Sequence, residues 1–171
     1  KWLGSDSRTS RLAAVRALLR LLARTDGHEA GRLVDQIREA FAHSALRGEI
    51  PPEQAERAPA RIQACAELGE AVASADVVIE AVPEKLDLKQ EIFARLGTLA
   101  PARAVLGSNT SSLSITRIAR GTQQPERVVG LHFFNPPHRM KLLEVVRGES
   151  TSEETLDTAV GLARLLGRDP I

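Results

Sequence analysis

The chain has 171 residues, 43% of them apolar, a formal net charge of +1, and only 3% aromatic residues with no tyrosine. This is enough for one domain with a buried core, and near-neutrality excludes bulk electrostatic capture of nucleic acid or of an anionic membrane, as the scarcity of aromatics excludes base-stacking platforms. The single cysteine, Cys65, forbids an intramolecular disulfide and points to a reducing compartment, and no apolar run is long enough to span a membrane.

In chain order, Arg11 to Arg24 reads as a basic amphipathic helix, with Arg16, Arg20 and Arg24 at four-residue spacing. Glu29 to Arg47 carries Leu33, Ile37, Ala40, Phe41 and Ala45 at helical spacing and stops at Gly48. Pro51-Pro52-Glu53 opens a short second helix towards Arg57, which makes the pair a helical hairpin. Ala60 to Cys65 reads as a short strand and Leu68 to Ala73 as a short helix, with Cys65 an inert buried thiol. Asp76 to Val82 is a β-branched run of strand length. Leu86 to Leu99 returns to helical period, with Leu88, Ile92, Phe93 and Leu96 on one face. A strand at Ala104–Ser108, a helix at Leu113–Arg120, and strands at Arg127–His132 and Lys141–Arg147 follow. Ser152 caps a last helix that runs to Leu166 and ends at Gly167. Strands with near-continuous apolar runs, separated by helices, imply an α/β fold: a mostly parallel sheet with helices on both faces. Such sheets bind ligands at the carboxyl ends of their strands.

Three of these strand ends carry chemistry. Glu80-Ala-Val-Pro-Glu84 follows the first, with Lys89 on the next helix. Ser108-Asn-Thr-Ser-Ser112 follows the second, and His132 the third. Hydroxyls and amides at a strand-to-helix junction suit a ribose or carbonyl oxygen. Taken singly, Ser112 is the pattern of a plain helix N-cap and Pro83-Glu84 of an ordinary helix start. His132 precedes Phe133-Phe134 and the turn at Asn135-Pro136-Pro137, and Glu144 lies within the next strand. The two can meet across that excursion, as a general base and the carboxylate that fixes its tautomer, or as a structural His–Glu bond.

Ala75-Asp-Val-Val-Ile-Glu-Ala-Val-Pro-Glu84, Ser108-Asn-Thr-Ser-Ser112 and Leu131-His-Phe-Phe-Asn-Pro136 with Glu144 together resemble the NAD-binding domain of the L-3-hydroxyacyl-CoA dehydrogenase family, from about His28 to Ile171. The resemblance implies an incomplete Rossmann-like fold whose hairpin, Glu29 to about Arg57, is the insertion that contacts the CoA moiety. It implies NAD-dependent oxidation of an L-3-hydroxyacyl-CoA to the 3-ketoacyl-CoA. His132 matches the general base and Glu144 its orienting partner. Ser111 matches a serine shared by substrate and nicotinamide ribose; Glu84, Lys89 and Asn135 match further cofactor contacts. His138 matches no family role, and no metal is implied. A cytoplasmic location is expected, with the mitochondrial matrix as alternative, and a full-length parent that dimerises through a C-terminal domain. The alternative is a non-catalytic remnant or an oligomer-forming, crystallin-like relative.

The departures are specific. The family begins with a strand and a G-x-G-x-x-G turn whose backbone donors hold the pyrophosphate. No two glycines of this chain are separated by a single residue. Residues 1–27 read instead as a non-matching basic segment, in which Arg24 falls where an acidic residue would meet the adenosine ribose, with Asp26 two positions on. A mitochondrial presequence, a surface helix for a membrane or partner, and a reading-frame artefact each fit that segment. The artefact is preferred, because a presequence would precede the first strand rather than replace it. With Lys1 in place of a methionine, the expectation is a fragment or a processed product, and a fragment poorly active alone.

Overall fold

Val77, Val78 and Ile79 branch at Cβ and lose side-chain freedom in a helix, so the run they form is extended. It is the first strand of a five-stranded sheet in the computed structural model, which describes residues 19–22, 27–135, 137 and 139–171. The described residues fall into two compact units, one ending at Ser74 and the other running from Ala75 to Ile171.

In the first unit, β1 (Leu19–Leu22) pairs in parallel with β2 (Ile62–Cys65), Leu19 opposite Ile62 and Leu22 opposite Cys65. Between them run α1 (Gly27–Leu46) and α2 (Pro52–Arg57), the expected helical hairpin. The buried stripe of α1 is Val34 with the half-buried Ile37, Phe41 and Ala45, whereas Ala40 is exposed. Gly48, at φ +69°, ends the helix: its amide bonds Ala45 O at 2.9 Å and the Glu49 amide bonds Ser44 O at 2.9 Å, the paired bonds of a left-handed C-terminal cap. After β2, α3 (Leu68–Val72) buries Leu68, Ala71 and Val72, and Cys65 is 3% exposed. The expected helix over Arg11–Arg24 is corrected in part. Leu19–Leu22 is a strand, because ladder pairing with Ile62–Cys65 outweighs the modest helical propensity of a Leu- and Arg-rich segment. Arg11–Leu18, Ala23, Arg24 and Asp26 lie outside the described residues.

The second unit holds β3 (Val77–Glu80), α4 (Leu86–Leu99), β4 (Val105–Ser108), α5 (Ile115–Ala119), β5 (Val128–Phe133), β6 (Leu142–Arg147), α6 (Glu153–Leu165) and β7 (Asp169–Pro170). The strand order is β3-β4-β5-β6-β7. Every neighbouring pair is parallel except β5 with β6, which is antiparallel. The sheet is therefore mixed and mostly parallel, as expected of a Rossmann-like fold, with one reversal that helical periodicity did not reveal.

Interior strand β4 is buried at all four positions, as a strand covered on both faces must be. Val105, Val129, Leu131 and Leu143 pack with Ala159 and Ala163 of α6 in one core cluster. Gly130 alternates with Val129 and Leu131 and so faces the other way, where a Cβ would lie 3.0 Å from Ile115 Cδ1 of α5. Helix α4 turns Lys89, Phe93 and Leu96 inward, with Leu88 and Ile92 half-buried at its margin. Ser152 caps α6, its Oγ accepting from the Thr155 amide at 3.2 Å, and Gly167 at φ +66° closes it. Buried Arg127 ties the end of α4 to the start of β4 through Gly97 O, Pro101 O and Ala104 O.

Gly121 sits against the backbone of α4: a Cβ there would come within 2.4 Å of Gln90 O and 2.7 Å of Gln90 Cα. Backbone atoms cannot rotate away, so Gly121→Ala should cost about 1–3 kcal/mol as overpacking does, measured as a lower urea midpoint with an unchanged m-value.

Candidate active site

The ends of β3, β4 and β5 converge, and the side chains that meet there come from the three segments singled out in the sequence. His132 lies opposite Glu144 in the β5–β6 ladder. Opposed residues of an antiparallel pair project to the same face. Their side chains accordingly meet: His132 Nδ1 is 2.6 Å from Glu144 Oε2. A carboxylate only accepts, so Nδ1 carries the proton and Nε2 of the neutral ring is left as an acceptor. Nε2 points to Ser111 Oγ at 3.1 Å. The imidazole is 17% exposed and the Glu144 side chain 37%, and the Phe134 ring lies 4.8 Å from the imidazole centroid. The expected His–Glu contact is present, with Ser111 on its open side.

Glu84 organises the segment that carries Ser111. Its Oε1 accepts from the Ser111 amide at 3.1 Å, the Ser112 amide at 3.2 Å and the Ser112 hydroxyl at 3.4 Å, and the Thr110 hydroxyl donates to the same oxygen. Lys89 Nζ lies 3.4 Å from Oε2. Partial burial pushes the carboxyl upward, but the Thr110 hydroxyl, the Ser112 amide and the Lys89 charge outweigh it and lower the group from 4.5 to about 2. Ser112 is thus not the N-cap of α5; that role belongs to Ser114, whose Oγ accepts from the Arg117 amide at 3.3 Å. Nor is Glu84 an ordinary helix start, since its carboxylate is drawn across to the β4–α5 turn.

The remaining sequence-derived residues divide between rim and floor. Asn135 is exposed in the bend after β5, and His138 lies outside the described residues. Lys89 is 1% exposed. Its ammonium meets Glu80 Oε1 at 2.7 Å and Val82 O at 3.2 Å besides Glu84, which accounts for its three donors. Of the polar run 108–112, only Ser111 and Ser112 are exposed. Ser108 donates to Glu80 Oε2 at 2.7 Å, and Asn109 Oδ1 accepts from the Phe133 amide at 2.8 Å. Sequence reasoning gave Glu80 and Ser108 no role inside the protein. The available signal was a carboxylate ending a β-branched strand, with a lysine nine residues on, in the first turn of the next helix.

Two outcomes follow. Lys89→Met leaves the Glu80 carboxylate buried without its cation, and chemical denaturation should show a loss of about 3–5 kcal/mol. Glu84 has a depressed folded value, so its stabilising contribution is complete above pH 4.5 and disappears as pH falls towards about 2. Stability of the wild type should therefore drop across that window, whereas Glu84→Gln should show a flatter acid limb in denaturant midpoints measured from pH 6 to pH 2.

The family model described as 3-hydroxyacyl-CoA dehydrogenase, NAD binding domain, matches residues 11–171, reaching further upstream than the motifs. The chain is 41% identical over 140 residues to the 3-hydroxyadipyl-CoA dehydrogenase of Escherichia coli (strain K12), covering 82% of this chain and 29% of that protein. The crystal structure of 3-hydroxybutyryl-CoA dehydrogenase from Escherichia coli K12 superposes with a TM-score of 0.86 at 38% identity, covering 90% of this chain and 32% of that one. FadB2 of M. tuberculosis superposes with a TM-score of 0.85 at 31% identity, over 95% of this chain and 56% of that one. The chain thus spans under a third of the length of the curated relative, and about half or less of these two structures. A shared domain model, shared fold and a His–Glu pair at the strand ends agree: the chain belongs to the 3-hydroxyacyl-CoA dehydrogenase family, as its NAD binding domain.

Proposed function

We propose that this domain serves the oxidation of an L-3-hydroxyacyl-CoA to its 3-ketoacyl-CoA. The observation that carries the reading is the 2.6 Å bond from His132 Nδ1 to Glu144, which leaves Nε2 as a proton acceptor at the rim. His132 takes the proton of the 3-hydroxyl on Nε2 as the C3 hydride departs, and the C3–O bond becomes a carbonyl. Glu144 holds the ring in the accepting tautomer and balances the imidazolium that results. Ser111, held by Glu84, lies within reach of the same Nε2 and of a substrate oxygen placed there. NAD, when bound, accepts the hydride as a two-electron acceptor.

The residues of the second unit fit the nicotinamide half of that cofactor. Exposed hydroxyls at Ser111 and Ser112, the exposed Glu84 carboxylate and the exposed Asn135 lie at the carboxyl ends of parallel strands, where such folds hold dinucleotides. Lys89, buried, would act on the cofactor through Glu84. The pyrophosphate half lacks its Gly-x-Gly turn. Each charged hydrogen bond forgone there is worth roughly 1.5–3 kcal/mol, so NAD affinity should be weak, and a titration of this chain with NADH reads it directly. This deficit also supports a second reading, a domain that keeps the dyad without turnover. For the active reading, the relatives' names support an acyl-CoA substrate; a cytoplasmic setting and a parent that dimerises outside this domain follow from the family resemblance alone.

NADH formation from 3-hydroxybutyryl-CoA at saturating NAD separates the two readings. Under the active reading, His132→Ala should lower kcat by roughly 10²–10⁴-fold, the ordinary contribution of a general base, with a smaller loss for Glu144→Gln. A rate untouched by His132→Ala would end it, and absence of any NADH would favour the second.

A further inference from the structure

Beneath the rim, Glu80 is 5% exposed, Lys89 1% and Ser108 fully buried. Glu80 Oε1 accepts from Lys89 Nζ at 2.7 Å and from the Val82 amide at 2.6 Å, while Oε2 accepts from the Ser108 hydroxyl at 2.7 Å. The backbone carbonyl of the same residue accepts from the Asn109 amide at 2.8 Å. Two routes lead from this hub to His132. One passes through Lys89 to Glu84 and so to the amide of Ser111, whose hydroxyl faces Nε2. The other passes through Asn109, whose side chain fixes the amide of Phe133, the residue after His132.

We propose that Glu80, with Lys89 as its buried counter-ion, is a positioning residue that holds Ser111 and His132 in register for proton transfer. The proposal takes its reaction from the reading above, but its geometry stands without it. A buried ion pair is a poor device for stability, since an apolar pair of similar volume packs as well without the desolvation cost. What apolar side chains lack is direction. The Glu80 carboxylate receives donors from β3's own following turn, from β4 and from α4. It therefore fixes the relative placement of the elements that carry Glu84, Ser111 and Asn109. Charge also matters at the far end of Lys89, where the ammonium meets Glu84 Oε2 and restrains the carboxylate that cradles the Ser111 and Ser112 amides.

The test is the paired substitution Glu80→Gln with Lys89→Met, which removes both charges together and leaves an acceptor for the Val82 amide. Nitrogen-resolved NMR on the unliganded chain follows the His132 ring and the Ser111, Ser112 and Phe133 amides, with far-UV circular dichroism as the check on folding. The expected result is a folded variant whose His132 titration midpoint moves by about half a pH unit or more. Exchange protection at Ser111 and Ser112 should fall by about tenfold or more. In NADH formation, kcat should drop by roughly tenfold while the acyl-CoA KM stays within about twofold, the split expected of lost alignment rather than lost binding. A folded variant with wild-type titration and protection overturns the proposal. Should the pair unfold, Ser108→Ala removes one bond and one oxygen; it must shift the same resonances less far, and unchanged resonances overturn the proposal equally. If the wild-type chain forms no NADH, the functional reading falls while the resonances still decide the role of Glu80.

Discussion

The antiparallel pairing of β5 with β6 is the constraint on which the site depends. In a sheet whose other neighbours run parallel, this one reversal returns the chain to the same strand end and sets Glu144 opposite His132. Because side chains alternate with period two, a slip of one residue in that register would turn one partner towards α6 and leave the imidazole without its carboxylate. The register is held from both faces. Leu131 and Leu143 are fully buried in the cluster with α6. On the opposite face Gly130 leaves only enough room for Val146 and Ile115. Packing that has no chemical role thus fixes the geometry of a pair that has one.

The polar groups behind the dyad show a gradient from exposed to buried. Ser111, Ser112, Asn135 and Glu84 are exposed, and Lys89, Glu80 and Ser108 are buried. Ser111, the exposed group that faces Nε2, is held at its amide by Glu84, and Glu84 in turn by the buried Lys89. The amides of Ser111 and Ser112 converge on Glu84, as backbone donors converge on an anion in a nest. Glu84 is met in turn by an ammonium whose own orientation is set by a second carboxylate. In the low dielectric of the interior such bonds are strong when complete and costly when broken.

Much of this was legible in the sequence. A β-branched run marked β3 and an apolar run β5, helical spacing marked α1 and α4, and Ser152 and Gly167 marked the two ends of α6. The dyad itself could be anticipated from His132 at a strand end and Glu144 inside the next strand. What stayed hidden depended on tertiary context. Lys89 falls in the same stripe as Phe93 and Leu96, but nothing in a periodicity of apolar residues announces that a lysine completes it. Ser108, Asn109 and Thr110 read as ligand-facing hydroxyls and an amide. In a turn of five small polar residues only the fold decides which point outward, and those three turn in to satisfy Glu80, the Phe133 amide and Glu84. Leu19–Leu22 has the composition of a helix and the conformation of a strand, because its partner lies more than forty residues away.

Two carboxylates border the site, and their surroundings suit them to different work. Glu84 is saturated with donors that do not change during proton transfer: two amides, two hydroxyls and an ammonium. Its charge is spent on fixing the protein. Among the described residues Glu144 is more sparingly engaged, by Nδ1 of His132, and its interaction strengthens when that ring gains a positive charge. An arrangement with these two reversed would leave the base unsupported and the Ser111 turn unanchored. Their difference separates holding the site from answering to its reaction. It arises from position alone, one carboxylate crossing to a turn of free amides and the other facing an imidazole along a ladder.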